Sequence, residues 1–242
     1  MADVKLTFLG TRGYIGSCSP EHRRHSSLLV AYRGTRLMID CGEDWLGRLD
    51  AIAPQAVLVT HAHPDHAFGL KEGAACPVYA SEDCWSGLQG FPIAERRDFA
   101  AREPFKVGAI RVEAFPVIHS IRAPAVGYRI EAGGRTIFYV PDVIDIQSRA
   151  EALFGIHLYI GDGASLTRPL VRRWEGRIFG HTTVRAQLGW CREAAVRRAI
   201  FTHCGRQVVE GHRSLVESEV HELGRDCGVE ASLAFDGLSL RV

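Results

Sequence analysis

The densest group of chemistry-bearing side chains is the segment 60–66, THAHPDH, which holds three imidazoles and a carboxylate within six residues. It follows an apolar run that predicts a short buried strand. Alternation along an extended chain places His61 and His63 on one side, and the turn after the proline brings Asp65 and His66 from another direction. Imidazole and carboxylate groups suit divalent transition metals, zinc above all. A polar loop with only local histidine hydrogen bonds is disfavoured, because unpaired buried imidazoles cost free energy.

Other polar residues of the same types stand directly after predicted strands elsewhere in the chain. Loops at one edge of packed sheets lie close together, so side chains scattered in sequence can meet there. The residues in these positions are Asp40, His61, His119, Asp142, Asp162, His181 and His203.

Two neighbouring ligand sets predict a dinuclear metal site. Two divalent ions about 3.5–4 Å apart need a bridging group, and Asp142 is our candidate for that bridge. A water between the ions would have its pKa lowered towards neutrality and would serve as the nucleophile. His181 is not needed as a ligand, so we assign it to general acid catalysis or transition-state stabilisation.

The hydrophobic pattern predicts more strands than helices early in the chain and alternation of the two later. This order favours an α/β fold in which two mixed sheets pack face to face with helices outside. Predicted strands cover 4–9, 26–32, 35–39, 57–59, 78–80, two runs within 105–118, 126–131, 135–140, 157–160, 177–179, 199–202, 231–235 and 238–242. One predicted helix begins in the segment 66–71. Three others cover 81–88, 183–198 and 213–225.

The bulk composition leaves several classes of function unsupported. A chain of 242 residues with 46% hydrophobic content can bury a large core, and we expect a single domain over 1–242. The net charge of +1 gives no global preference for nucleic acid or membrane. The seven cysteines contain no CxxC pair and no signal-peptide pattern precedes Val4, so we expect a reduced, cytoplasmic protein without a membrane span.

The HxHxDH motif, together with further motifs downstream, resembles the metallo-β-lactamase superfamily over nearly the whole chain. The match narrows to the phosphodiesterase branch that includes tRNase Z and PhnP-like cyclic phosphodiesterases. These further motifs are His119 with Ala125-Val126-Gly127-Tyr128, Tyr139-Val140-Pro141-Asp142, Gly180-His181-Thr182, Thr202-His203 and Phe235-Asp236-Gly237. The resemblance implies a four-layer αββα sandwich.

The resemblance also implies a ligand set for each ion. His61, His63, His119 and Asp142 would hold one, and Asp65, His66, Asp142 and His203 the other. Asp65 would thereby also serve catalysis, together with His181. Zn²⁺ is the expected ion, with Mn²⁺ or Fe²⁺ as alternatives.

Two departures from the family bear on the substrate. tRNase Z carries a long tRNA-gripping arm between the positions of His119 and Asp142, whereas only 22 residues intervene here and one hairpin uses them. The cysteine cluster of PhnP is also missing, since Cys18 stands alone. We therefore expect a phosphodiesterase for a small or cyclic phosphate diester, with nucleic acid still open and a homodimer compatible with the sequence.

Other roles rest on weaker patterns. Arg12 and Arg24 lie in loops that could contact substrate phosphate, and eight arginines between 168 and 198 could steer an anion. Asp40 and Asp162 are candidates for orienting ligands from behind. The alternatives are a lactone or thioester hydrolase on the same metal centre, and a nucleic-acid-binding or scaffold protein on a hydrolase fold.

Overall fold

The computed structural model describes residues 3–242, which form two large mixed sheets and one separate hairpin. The first sheet has seven strands in the order β17-β1-β2-β3-β4-β5-β6. In chain order these are Lys5–Gly10 (β1), Ser27–Tyr32 (β2), Thr35–Ile39 (β3), Ala56–Leu58 (β4), Val78–Ala80 (β5), Arg96–Asp98 (β6) and Ser239–Arg241 (β17).

The second sheet has eight strands in the order β11-β8-β9-β10-β12-β15-β16, with β7 paired to β8. They are Phe105–Val107 (β7), Ile110–Ile118 (β8), Ala125–Ala132 (β9), Arg135–Tyr139 (β10), Asp145–Ile146 (β11), Leu158–Asp162 (β12), Arg198–Thr202 (β15) and Glu230–Leu233 (β16). Leu170–Trp174 (β13) and Arg177–His181 (β14) form the separate antiparallel hairpin.

In the described part of the chain, seven α-helices connect or cover these strands, with 3₁₀ turns at Glu43–Trp45 and Phe68–Leu70. No helix among residues 3–242 is long and apolar enough to cross a membrane. The helices are Leu49–Ile52 (α1), Pro64–Ala67 (α2), Glu82–Gly87 (α3), Arg149–Leu153 (α4), Val184–Glu193 (α5), Arg206–Val209 (α6) and Arg213–Cys227 (α7).

The main core lies between the two sheets. Phe8 and Leu37 of the first sheet and Tyr128 and Ile137 of the second belong to one buried cluster. A second cluster joins the outer face of the second sheet to α5 and α7, and a third covers the outer face of the first sheet. The predicted αββα sandwich is therefore confirmed.

Strand direction brings the candidate residues to one edge of the sandwich. Strands β3 and β4 are parallel in the first sheet, as are β10, β12 and β15 in the second. Asp40 and His203 directly follow β3 and β15, and His61 and Asp142 lie three residues beyond the ends of β4 and β10. Strand β8 runs in the same direction as β10, because both pair antiparallel with β9, and it ends next to His119.

Two predicted boundaries are wrong, and two exposed strands were missed. Helix α5 ends at Glu193 instead of 198, because Ala195 adopts a left-handed φ of 55° before β15 begins. Strand β14 extends to His181, so that residue lies at the end of a strand and not in the loop after it. Strands β6 and β13 were missed, because all their residues are exposed and show no apolar alternation.

Candidate metal centre

The loop after β4 and the helix α2 that follows it carry four of the seven candidate ligands. Pro64 occupies the first turn of α2, where its missing N–H costs no hydrogen bond. His63 precedes it in extended conformation, so the chain turns between His63 and Asp65 as the sequence predicted. A Cβ on Gly42 would lie 2.0 Å from the carbonyl oxygen of Asp65. Only glycine at that position allows this close approach.

Three imidazoles converge on a first point. His61 Nε2 lies 2.9 Å from His63 Nδ1, and His119 Nε2 lies 3.4 Å from the same atom. Nitrogen ligands arranged tetrahedrally around zinc at about 2.0 Å stand about 3.3 Å apart. The opposite nitrogen of His119 lies 3.0 Å from the carbonyl oxygen of Gly180, to which it donates when protonated. That bond leaves Nε2 of His119 unprotonated and able to bind a cation.

A second group lies beside the first. Asp65 Oδ2 is 3.2 Å from His66 Nε2 and 3.1 Å from His203 Nε2. Asp142 Oδ2 approaches His66 Nε2 to 2.6 Å and His61 Nε2 to 3.6 Å. Asp142 therefore lies between the two groups, in the position that a bridging carboxylate requires.

Unpaired buried atoms indicate that these groups are suited to cations. His66 Nε2, Asp142 Oδ1 and His203 Nδ1 are buried without a hydrogen bond of acceptable geometry. Leaving buried polar atoms unpaired costs free energy unless another partner satisfies them. In each group the ligand atoms lie within 4.8 Å of one another. The two His/Asp clusters are thus suited to a dinuclear metal site.

The electrostatics of the two groups differ. Burial lowers the pKa of His61 well below its usual value, and it lowers the pKa of His119 to about 4. Both imidazoles are therefore neutral, which is the form that binds metal. Burial also lowers the pKa of His66, but Asp65, Asp142 and Asp40 outweigh it and raise the pKa well above the usual value. The second group is the more anionic environment.

Asp40 supports His66 from behind. Its Oδ2 accepts a hydrogen bond from His66 Nδ1 at 2.9 Å, and its Oδ1 accepts one from the backbone N–H of Thr60 at 2.8 Å. This arrangement directs His66 Nε2 towards Asp65 and Asp142. Burial raises the pKa of Asp40, and the contacts with His66 and Thr60 oppose that shift.

The loop after β1 supports His203. Cys204 donates its N–H to the carbonyl oxygen of Thr11, and Gly13 donates its N–H to the carbonyl oxygen of Cys204. His203 has a left-handed φ of 52°, which is rare outside glycine and needs support from surrounding contacts. A Cβ on Gly13 would lie 3.1 Å from the His203 ring. The glycine-rich segment after β1 therefore packs against a candidate ligand.

His181 is held by Asp162. Its Nδ1 lies 2.8 Å from Asp162 Oδ2 and 3.3 Å from Asp142 Oδ1. Burial lowers the pKa of His181, but Asp162 and Asp142 raise it above the usual value overall. Asp142, Asp162, His181 and His203 also lie close enough to form a ligand set of their own. The hydrogen bond to Asp162, however, occupies Nδ1 of His181, so this nitrogen is not available to a metal ion. The Nε2 atom of His181 can still bind another partner.

Gln187 is a positioning residue that the sequence analysis missed. Its Oε1 accepts the backbone N–H of Asp162 at 2.9 Å, and its Nε2 donates to the carbonyl oxygen of Asp162 at 2.7 Å. The available signal was a polar residue on the apolar side of α5, next to Leu188. A buried amide of this kind needs partners, and it finds them on the strand that carries Asp162.

The Arg12 and Arg24 side chains contact groups other than the candidate ligands. The Arg12 guanidinium contacts Asp44 Oδ2 at 2.6 Å and the carbonyl oxygens of Ile15 and Arg23 at 2.5 and 3.2 Å. The Arg24 guanidinium lies over the Trp45 ring at 4.8 Å. The sequence showed the charges of these loops but not the distant groups that contact them. Substrate binding by these two arginines stays a prediction.

A cavity of about 860 Å³ opens beside the candidate metal centre. His63, His119, His181 and His203 line it. Two arginines of the 168–198 stretch and several residues without a predicted role complete its wall. They include Tyr14, Ser120, Arg168, Arg172, Phe179 and Arg206.

The sandwich and its His/Asp edge define a class of metal-dependent hydrolases, and comparison with known proteins identifies the family. Residues 35–204 match the family model described as "Beta-lactamase superfamily domain". This chain therefore belongs to the beta-lactamase superfamily and is a metal-dependent hydrolase. The predicted superfamily is confirmed.

Among its relatives, Ribonuclease Z of Methanopyrus kandleri is 29% identical, over 99% of this chain and 88% of the relative. Solved structures share the fold as well. The metallo-beta-lactamase fold protein YhfI from Bacillus subtilis has a TM-score of 0.74 at 18% identity, covering 99% of this chain and 100% of YhfI. A diphosphatase from the PhnP family has a TM-score of 0.72 at 23% identity, covering 100% and 98%. The predicted resemblance to the PhnP-like and tRNase Z-like branch is thus also confirmed.

Proposed function

We propose that this protein is a phosphodiesterase that cleaves a small or cyclic phosphate diester at a dinuclear metal centre, with His181 as general acid. One observation carries the proposal. His181 Nδ1 is fixed by Asp162 at 2.8 Å, while the ring lines the same cavity as the candidate ligands His63, His119 and His203. The free Nε2 can donate a proton to a leaving oxygen there.

The two histidine and aspartate groups would hold the ions. His61, His63 and His119 form one side and Asp65, His66 and His203 the other, with Asp142 between them. Bound divalent ions would supply a water of lowered pKa and positive charge for the phosphoryl oxygens. We propose Zn²⁺, because three imidazoles on one side form a nitrogen-rich set, with Mn²⁺ or Fe²⁺ as alternatives.

The residues of the chain perform the remaining steps. Asp162 fixes the ring orientation of His181 and favours its protonated form. The protonated Nε2 donates to the leaving oxygen as the phosphorus–oxygen bond breaks, so that an alcohol departs instead of an alkoxide. Asp40 keeps His66 in the orientation that ligation needs.

The test combines metal analysis with cleavage of two diesters, bis-p-nitrophenyl phosphate and a dinucleoside monophosphate. We expect two ions per chain and activity that chelation abolishes. His181→Ala should reduce cleavage of the dinucleoside about 10²- to 10⁴-fold. It should reduce cleavage of the nitrophenyl ester much less, because nitrophenolate leaves without a proton.

The matched control is His212→Ala, which removes an exposed histidine at the start of α7. It should leave both reactions unchanged. Equal losses for the two esters in His181→Ala would contradict the general-acid role.

The metal-loaded protein must also be tested on lactones and thioesters, for which His181 would be dispensable. Hydrolysis of those substrates that survives His181→Ala, without diester cleavage, would favour that alternative.

RNA is the second candidate substrate. The relative from Methanopyrus kandleri that covers 99% of this chain is named Ribonuclease Z. Among residues 120–141, however, the hairpin of β9 and β10 takes the place of any long arm. Cleavage of an oligoribonucleotide in preference to a cyclic mononucleotide would favour RNA over the small diester.

A further inference from the structure

The hairpin of β13 and β14 stands apart from both sheets and exposes apolar and cationic side chains. All five residues of β13 are exposed, and Leu170 and Trp174 retain 46% and 55% of their surface. A large exposed tryptophan on such an element is typical of a binding surface.

The strand register places one set of side chains on the same face as His181. Leu170 pairs with His181, Arg172 with Phe179, and Trp174 with Arg177. Directly opposed residues share a face, and every second residue along a strand returns to it. We call this surface the His181 face of the hairpin; it consists of Leu170, Arg172, Trp174, Arg177, Phe179 and His181.

The His181 face leads from the cleft outwards. Leu170, Arg172 and Phe179 line the same cavity as His181. The pair of Trp174 and Arg177 lies two residues further along, or about 7 Å at the usual rise of a strand. An arginine and an aromatic ring thus recur together at two successive positions beyond the catalytic histidine.

The arginines of this face are free to bind an anion. Within residues 3–242, neither Arg172 nor Arg177 has a carboxylate within 4.0 Å. Many other exposed arginines are paired in this way, as Arg102 is with Glu113. Between 168 and 181 the one acidic residue is Glu175, in the turn at the tip.

We infer that the His181 face binds a single strand of nucleic acid that extends from the cleft. Unpaired bases would stack on Phe179 and Trp174, and phosphates would contact Arg172 and Arg177. Single-strand binding sites combine stacking platforms with cationic backbone contacts in this way. The inference rests on the proposed phosphodiesterase function in one respect, namely that the strand enters the cleft with a scissile diester, and it selects the second candidate substrate, RNA, over the small diester.

A second copy of the chain fits this face less well. In a two-fold symmetric pair each surface meets its own image, so the arginines of one copy would lie near those of the other. Like charges opposed across an interface cost free energy. Nucleic acid instead supplies the complementary charge.

The test measures binding of a fluorescein-labelled oligouridylate of about 12 nucleotides, a length within the usual range of single-strand sites. The metal-loaded protein is used, and the recovered oligonucleotide is checked on a gel to be intact. Trp174→Ala should weaken binding about tenfold. Arg172→Ala should weaken it and reduce the salt slope of the binding constant by about 0.7, the value for one phosphate contact on a single strand.

Arg173→Ala is the matched control, because Arg173 is an exposed arginine of the same strand that points to the opposite face. It should retain the affinity and salt slope of the wild type. Intrinsic fluorescence gives a second readout, since Trp174 is the most exposed of the four tryptophans. The oligonucleotide should quench it in the wild type and in Arg173→Ala, but not in Trp174→Ala.

Each outcome separates this inference from the phosphodiesterase proposal. Equal affinities of Arg172→Ala, Trp174→Ala and Arg173→Ala would overturn the inference even if the enzyme cleaves bis-p-nitrophenyl phosphate. A change of oligomeric state in Trp174→Ala, with oligonucleotide affinity unchanged, would also overturn it and assign the face to a second copy. Binding with the expected variant pattern, in a protein that cleaves no diester, would support the face and contradict the proposed activity.

Discussion

At the scale of single residues, the candidate site depends on hydrogen bonds that orient each ring from behind. His66 is directed by Asp40, His119 by the carbonyl group of Gly180, and His181 by Asp162. A ring held at one nitrogen presents the other nitrogen in a fixed direction, which lowers the entropic cost of binding a metal ion or substrate. The roles of these histidines can therefore be tested by replacing the residues that hydrogen-bond to them, as well as by replacing the histidines themselves.

Asp40→Asn should weaken metal binding about 10- to 100-fold, the usual effect of removing a carboxylate behind a ligating histidine. The amide keeps the size of the side chain but cannot accept at both oxygens, so His66 Nδ1 and Thr60 compete for one acceptor. Competition with a chromogenic chelator measures the affinity. Glu82→Gln, on an exposed position of α3, is the control, and equal affinities of the two variants would contradict the role of Asp40.

Stability should decrease as the pH falls from about 6.5 to about 4, partly because of His25. Burial, followed by the charge of Arg12, lowers the pKa of His25 to about 4. Between that value and its usual pKa of 6.5, the unfolded chain binds a proton that the folded chain does not. His25 therefore stabilises the fold fully above about pH 6.5, and the free energy of unfolding falls by up to about 1.4 kcal/mol per pH unit below it.

Urea unfolding of wild type and His25→Gln across that pH range measures this contribution. The variant should show a shallower dependence on pH, whatever its overall stability. Parallel curves for the two proteins would contradict the assignment. Exposed His212, replaced in the same way, serves as the control.

At the scale of elements, the hairpin of β13 and β14 is joined to the metal centre through Gly180. The N–H of Gly180 donates to the carbonyl oxygen of His119 at 2.8 Å, and its own carbonyl oxygen accepts from the His119 ring. Its φ is 117°, and a Cβ there would lie 2.0 Å from the carbonyl oxygen of Leu170. One glycine thus couples a candidate ligand, the candidate acid and the hairpin.

Gly180→Ala should displace the hairpin and reduce diester cleavage at least as much as His181→Ala does. Gly176→Ala in the tip of the same hairpin is the matched control, because it also has a positive φ of 75° but no atom within 4 Å of its Cβ. Cleavage rates and circular dichroism of both variants provide the measurement. Full activity of a folded Gly180→Ala would show that this coupling is unimportant.

The elements also show what the sequence could and could not predict. Strands with alternating burial, such as β1, strands buried almost throughout, such as β2, and amphipathic α5 were predictable because burial imposes an apolar pattern on the sequence. Strand β13 was not predictable, because an exposed hairpin buries no residues and so imposes no apolar period on its sequence. The candidate ligands were predictable from their types and their positions after strands. The pairing of Arg12 with Asp44 was not, because sequence gives the charge of a residue but not its partner 32 positions away.

At the scale of the whole molecule, the candidate ligands join both sheets. His61 and Asp65 follow β4 of the first sheet, whereas His119, Asp142 and His203 follow strands of the second. Ions bound between them would connect the two halves of the sandwich. Metal binding would then stabilise the whole fold and not only the loops.

Chelation should therefore lower the midpoint of thermal unfolding. Ligand present at about 1,000 times its dissociation constant stabilises a protein by about 4 kcal/mol. This corresponds to about 10 °C for a chain of this length. Differential scanning fluorimetry with and without chelator measures the shift, and chelator already saturated with zinc is the control. An unchanged midpoint in protein shown to have lost its ions would contradict the connecting role.

The charged edge of the first sheet has a consequence for the protein at high concentration. Strand β6 ends that sheet with Arg96, Arg97 and Asp98, all exposed. The unpaired N–H and C=O groups of an edge strand otherwise attract strands of other molecules, and charged side chains discourage this. Where the fold leaves a sheet open, the sequence thus places residues that oppose intermolecular strand addition and the aggregation that follows from it.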